Sequence, residues 1–165
     1  MLEKSAARKW LEQEYLPLLE GSVLFVGVRK YNSGYHHIGN YPELFETVDP
    51  DPEQAKYGAP MHHICTAEQL IDRGYCYDHV AAFGLVGMRD SLRRTRDEIT
   101  EMLSKLHGAA LKTFMFGGST DTVTMEELSE WFDSAVTAHW HTRSSFVTPP
   151  SKTHSPMLIK WLQHA

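Results

Sequence analysis

A short apolar run, Val23-Leu-Phe-Val-Gly-Val28, passes through a glycine, and a second, Leu44–Val48, ends on the acid Asp49. In doubly wound α/β sheets, an acid about 20 residues beyond a strand–glycine turn brings a backbone turn and a carboxylate together at the carboxyl ends of neighbouring strands. Such a pair can hold a nucleoside: the turn approaches its linker or tail, and the carboxylate accepts hydrogen bonds from ribose hydroxyls. The glycine needs no ligand to explain it, since many strand–helix turns use one for positive φ alone. Gly27 is also followed by Val28-Arg-Lys-Tyr-Asn-Ser-Gly34 rather than by the further glycines of the full dinucleotide fingerprint.

The remaining chain supports an alternating α/β order. Helical spacing of Leu2, Ala6, Trp10, Leu11, Tyr15 and Leu18 predicts a helix over Leu2–Leu18, ended by Pro17 and Gly21. Asp51-Pro52-Glu53 opens a short helix. Met61–Cys65 is expected as a third strand, and Thr66 with Gln69 forms a capping-box pattern ahead of a helix over Ala67–Arg73. Tyr77–Phe83 is a fourth strand ending at Gly84. Ser91–Leu106 is the longest helix, stopped by His107-Gly108. Ala109–Phe116 is a fifth strand turned by Gly117-Gly118, and Thr124 with Glu127 caps a helix through Phe132. Ala135–Thr142 and Met157–Leu162 form a terminal strand pair, joined by a Ser144–Ser155 loop. The expectation is a mostly parallel seven-stranded sheet, doubly wound, with a reversed C-terminal strand.

Length and composition narrow the classes. At 165 residues the chain fits one domain, with residues 1–20 as an N-terminal helix and 22–165 as the α/β core. A net charge of −5 gives no general drive toward nucleic acid or anionic membrane. No apolar run approaches the roughly 20 residues of a membrane span, and the first residues lack a signal-peptide core. Cys65 and Cys76 make no disulfide framework, so a reducing cytoplasmic setting is expected.

On these residues the chain resembles the class I S-adenosylmethionine-dependent methyltransferases, a Rossmann-like family, from Val23 to the C-terminus. Val23–Val28 is similar to the family's first motif, and Thr47-Val-Asp49-Pro-Asp51-Pro to its second. Ile64-Cys-Thr-Ala-Glu-Gln-Leu70 resembles the segment bordering the adenine, and Tyr77–Gly84 the fourth motif, beside the methyl group. Leu106-His-Gly-Ala-Ala-Leu-Lys-Thr-Phe114 is similar to the helix–glycine–strand passage that follows. The resemblance implies that S-adenosylmethionine is the cofactor. Asp49 would bind its ribose, and Asp51 belongs to the same motif. Gly27 and Val28 would approach the methionine part, Thr66 and Ala67 would border adenine, and Phe83 and Gly84 would lie near the methyl. Arg29, Lys30 and Tyr31 stand where the family carries further glycines, and Thr66 where it carries an acid. The Asn-Pro-Pro-Tyr signature of the nucleic-acid amino-methylating subgroup is absent.

Other constellations have plainer readings. His36-His37, His62-His63 and His139-Trp-His141 lack the companion ligands of a metal site, so solvated or hydrogen-bonded histidines are expected. His36 or His37, in the loop after the first strand, could act on a substrate as a base. Arg89, Arg93, Arg94 and Arg96 are interleaved with acids and suit an exposed helix face. Cys65 and Cys76 read as small buried apolar residues. The function expected is methyl transfer to a small-molecule acceptor, with neither membrane nor nucleic acid as partner. A partner protein or a second copy could supply macromolecular recognition. The rivals are a non-catalytic scaffold or subunit of this fold and a nicotinamide-dependent oxidoreductase.

Overall fold

The computed structural model describes residues 14–27, 45–51, 63–86, 95–135, 139–150 and 155–164. Six strands form one sheet: β1 (Val23–Val26), β2 (Phe45–Val48), β3 (Tyr77–Val86), β4 (Ala110–Ser119), β5 (Trp140–Val147) and β6 (Met157–His164). The helices are α1 (Ala67–Asp72), α2 (Arg96–Ala109) and α3 (Met125–Ala135), with a 3-10 turn at Leu16–Leu18. Among the described residues, no helix is long and apolar enough to cross a membrane.

The strand order is β2-β1-β3-β4-β6-β5. β2, β1, β3 and β4 run parallel, and β6 lies between β4 and β5, antiparallel to both. This is the mostly parallel sheet with a reversed C-terminal strand that the alternating pattern predicts. Of the expected third strand, Met61–Cys65, Met61 and His62 lie outside the described residues, and His63 makes one parallel bridge with Val48 beyond β2. With Ile64 exposed and Cys65 already turning into the α1 cap, no apolar run extends that ladder.

Every residue of β1 is buried, as a central parallel strand requires. Period-two alternation sends Leu24 and Val26 into one core cluster and Val23 and Phe25 into the other. The first core is closed by Leu70 of α1, Leu103 and Leu106 of α2, and Leu128 and Phe132 of α3. The second gathers Tyr15, Leu19, Met115, Ile159 and Trp161 on the opposite face.

Among the described residues, two of the three helix starts follow the sequence signals, at Thr66 and Thr124; α2 begins at Arg96 rather than at the expected Ser91, because Thr95 with Glu98 caps it there. Thr66–Gln69 and Thr95–Glu98 are reciprocal capping boxes. Glu127 N donates to Thr124 Oγ1 over 3.1 Å in the same pattern. Helix ends and strand ends differ more. α2 runs through His107 and Gly108 to Ala109, because Leu106 and Ala109 still bury against the core. Gly117 and Gly118 do not turn the chain: they pair with Ile159 and Leu158 inside β4. β3 continues past Gly84 to Val86, and β5 extends through Val147, taking four residues from the expected loop. Cys65 is buried as expected, but Cys76 is exposed. The predicted helix over Leu2–Leu18 lies outside the described residues except at its end, and the one opened by Asp51-Pro52-Glu53 lies outside them from Pro52 onward.

Candidate crevice at the strand carboxyl ends

The chain leaves β1 toward β2 on one side, and β3 pairs on the other. The carboxyl end of β1 is therefore the topological switch point, the place where sheets of this kind hold their ligands. Gly27 occupies it with φ of +82°, a conformation that disfavours any residue with a Cβ. Its N–H donates to Val48 O over 3.0 Å, holding the β1 turn against the end of β2.

Asp49 follows immediately. Its N–H donates to His63 O over 3.1 Å, while His63 N donates to Thr47 O over 3.0 Å. The bridge strand thus brackets the backbone that carries Asp49. Asp51 N donates to Asp49 Oδ1 over 2.9 Å, an Asx-type turn that orients the carboxylate. Asp51 itself is exposed.

Thr66 is the N-cap of α1. Gln69 N donates to its Oγ1 over 3.2 Å, and its own N–H donates to Gln69 Oε1 over 2.9 Å. The hydroxyl oxygen is thereby engaged by the cap, and its O–H proton is the group it has to offer a ligand. The Ala67 methyl is buried in the core. Phe83 and Gly84 lie in β3 just beyond Ala82, the partner of Val26. The β3–β4 pairing shifts register between Ala82 and Val86, an irregularity at the same strand ends. The structure thus brings Gly27, Asp49, Asp51, Thr66, Ala67, Phe83 and Gly84 to one end of the sheet. Val28, His36 and His37 lie outside the described residues.

One supporting group was not read from the sequence. Tyr77 donates to Glu46 Oε2 over 2.6 Å, and His63 Nε2 lies 3.1 Å from the same oxygen. Burial first, and then the Glu46 carboxylate, hold the Tyr77 phenol above its ordinary range. This cluster ties the bridge residue His63 to β2 and β3, beneath the Asp49 turn. An acid inside the short run Phe45-Glu-Thr-Val was the available signal. The arginine cluster follows its plain reading where it is described: Arg96 pairs with Glu130 at 3.5 Å and covers Trp131.

No protein-family model matches the chain, and no curated protein matches its sequence. Solved structures do match in fold. The N-methyltransferase NodS from Bradyrhizobium japonicum, in complex with S-adenosyl-L-homocysteine, superposes with a TM-score of 0.71 at 9% identity, over 96% of this chain and 85% of that one. The 1,6-didemethyltoxoflavin-N1-methyltransferase from Burkholderia thailandensis gives 0.66 at 15% identity, over 98% and 80%. Magnesium protoporphyrin IX methyltransferase from Synechocystis, with bound S-adenosylmethionine, gives 0.63 at 13% identity, over 96% and 76%. Sheet order, reversed strand and these superpositions agree: the chain has the Rossmann-like fold of the class I S-adenosylmethionine-dependent methyltransferases.

Proposed function

We propose that the protein binds S-adenosylmethionine at the carboxyl ends of β1, β2 and β3 and passes its methyl group to a small-molecule acceptor. The observation that carries this reading is the clamp between Gly27 N and Val48 O, which sets the positive-φ turn beside Asp49 at the switch point. The residues fit the cofactor. A carboxylate has about four acceptor positions, so the turn bond from Asp51 is compatible with two ribose hydroxyls donating to Asp49. Gly27 allows close backbone approach to the methionine portion, with Val28 next to it. Thr66 and the Ala67 backbone border adenine, and Phe83 and Gly84 adjoin the transferred methyl. The relatives in fold include structures holding S-adenosylmethionine or its demethylated product, which supports the same ligand here.

When bound, the sulfonium supplies an electrophilic methyl that an acceptor lone pair takes in line, leaving a neutral thioether. The chain's share is alignment and exclusion of water. A base such as His36 or His37 would take the proton the acceptor releases. This reading places the protein in the cytoplasm, where the free thiols of Cys65 and Cys76 stay reduced.

Arg29, Lys30 and Tyr31, standing where glycines are usual, favour one second reading: a scaffold of this fold that binds no cofactor or does not turn it over. Calorimetric titration with S-adenosylmethionine, S-adenosylhomocysteine and NADH separates the readings. Micromolar binding of the first two is expected, weakened about tenfold or more by Asp49→Ala through loss of charged hydrogen bonds. A folded protein giving no heat with either would be the scaffold, and heat with NADH alone would make it an oxidoreductase.

A further inference from the structure

A cavity of about 390 Å³ lies at the other end of the sheet from Gly27 and Asp49. His79 pairs with Val23 at the start of β1, Thr113 pairs with His79, and Gln163 pairs with Thr113. Those residues therefore line the amino ends of the parallel strands. The volume falls within the roughly 300–1,000 Å³ of small-molecule sites.

Arg143 reaches this cavity because β5 is irregular. Trp140 packs in the first core and Phe146 against the second. Residues an even number apart on a regular strand share a face, so parity must change between them. The register shift between Thr142 and Ser144 changes it, and Arg143 is the extra residue. Its guanidinium carbon sits 4.0 Å from the Trp161 ring centroid, over the cavity floor. Among the described residues Arg143 has no carboxylate within ion-pair distance. A guanidinium covering a ring keeps N–H donors in a fork that suits a planar carboxylate.

The surrounding charge favours an anion. Lys112 lines the same cavity and is partly balanced by Asp78 at 3.9 Å. His79 is engaged at both ring nitrogens and buried, so it serves as floor rather than as a cation. Arg143 and Lys112 against Asp78 leave one positive charge, and His164 also lines the cavity. Two leucines on the rim, Leu18 and Leu111, are 56% and 54% exposed, apolar surface that a ligand tail would cover.

From these features we infer that the cavity binds an organic monocarboxylate with an apolar tail. The carboxylate meets Arg143, with Lys112 and Gln163 beside it, and the tail lies across Leu18 and Leu111. The site is independent of the methyltransferase reading, since it shares no residue with the crevice.

The full-length protein would be titrated calorimetrically with octanoate, acetate and inorganic phosphate near neutral pH. Saturable octanoate binding is expected, with acetate and phosphate at least about tenfold weaker, since neither carries an apolar tail to cover Leu18 and Leu111. Arg143→Gln should weaken octanoate by about tenfold or more, as loss of a charged hydrogen-bonding partner does. Leu111→Glu, at an exposed position that leaves folding intact, should do the same by placing an acid on the rim. The inference is overturned if octanoate gives no heat. Equal octanoate binding by the wild type and Leu111→Glu, or phosphate binding as tight as octanoate, would also overturn it.

Discussion

His79 Nδ1 lies 2.6 Å from the Thr113 hydroxyl, a contact that joins strands β3 and β4 through a buried imidazole. The other ring nitrogen lies 2.8 Å from Glu20 O, which can only accept, so Nε2 carries the proton. In the neutral ring Nδ1 is then an acceptor, and Thr113 donates to it. The Thr113 oxygen in turn accepts from Tyr15 O–H across 3.3 Å. Burial, the largest influence, holds the His79 pKa below 6.5.

Thr113→Val keeps the shape and removes the hydroxyl, leaving a buried ring nitrogen of His79 without its donor. The expected cost is about 1–3 kcal/mol, measured by urea denaturation, with Thr113→Ser recovering most of it. A neutral result for the valine variant would mean that the contact contributes nothing to stability.

The depressed His79 pKa also makes stability depend on pH. Below the unfolded-state value of about 6.5, the unfolded chain takes up a proton that the native ring resists. Unfolding then binds protons, so stability falls as pH falls through 6.5 and keeps falling until the native pKa is reached. His107, lowered by burial first and then by His164, acts in the same direction. The urea midpoint should therefore drop between about pH 7 and pH 5, with a shallower slope in His79→Gln. Identical slopes in the two proteins would count against this origin.

Gly21 and Gly74 both have positive φ, 100° and 91°, yet their surroundings differ. A Cβ on Gly21 would overlap the Asp78 carboxylate, which accepts Ser22 N while Ser22 Oγ accepts Asp78 N. A Cβ on Gly74 meets nothing within 4 Å. Gly74→Ala should cost about 1 kcal/mol for its backbone conformation alone. Gly21→Ala should cost clearly more, and equal losses in chemical denaturation would refute the steric account.

At the crevice, Thr66 and Asp49 should separate structure from binding. Thr66→Ala removes the α1 cap and should lower stability by about 0.5–2 kcal/mol. Its effect on S-adenosylhomocysteine affinity should be smaller than that of Asp49→Ala, because the Thr66 hydroxyl oxygen is already engaged by Gln69. A larger affinity loss for Thr66→Ala in calorimetry would reverse this assignment.

Much of the fold was legible in the chain because its signals are local. Thr66 with Gln69 and Thr124 with Glu127 each act over three residues, so capping-box reasoning finds them, while the Thr95–Glu98 box was passed over in favour of a start at Ser91. The Gly27–Asp49 spacing pointed to the switch point, since strand ends are punctuated by turn and acid residues in the chain itself. The end of β4 misled for the same reason: a Gly-Gly pair reads locally as a turn, while the backbone of β6 was available to pair with it.

Local signals along the chain were enough for the alternating elements, the capped starts of α1 and α3 and the residues gathered at the strand carboxyl ends. Only the tertiary structure, through long-range pairing, set the partner of His63, which bridges to Val48. It alone joined His79 to a threonine 34 residues away and aimed Arg143 over Trp161. The physical reason is range. Periodicity and capping act within a few residues, whereas ladder register and buried hydrogen-bond partners depend on segments far apart in the chain.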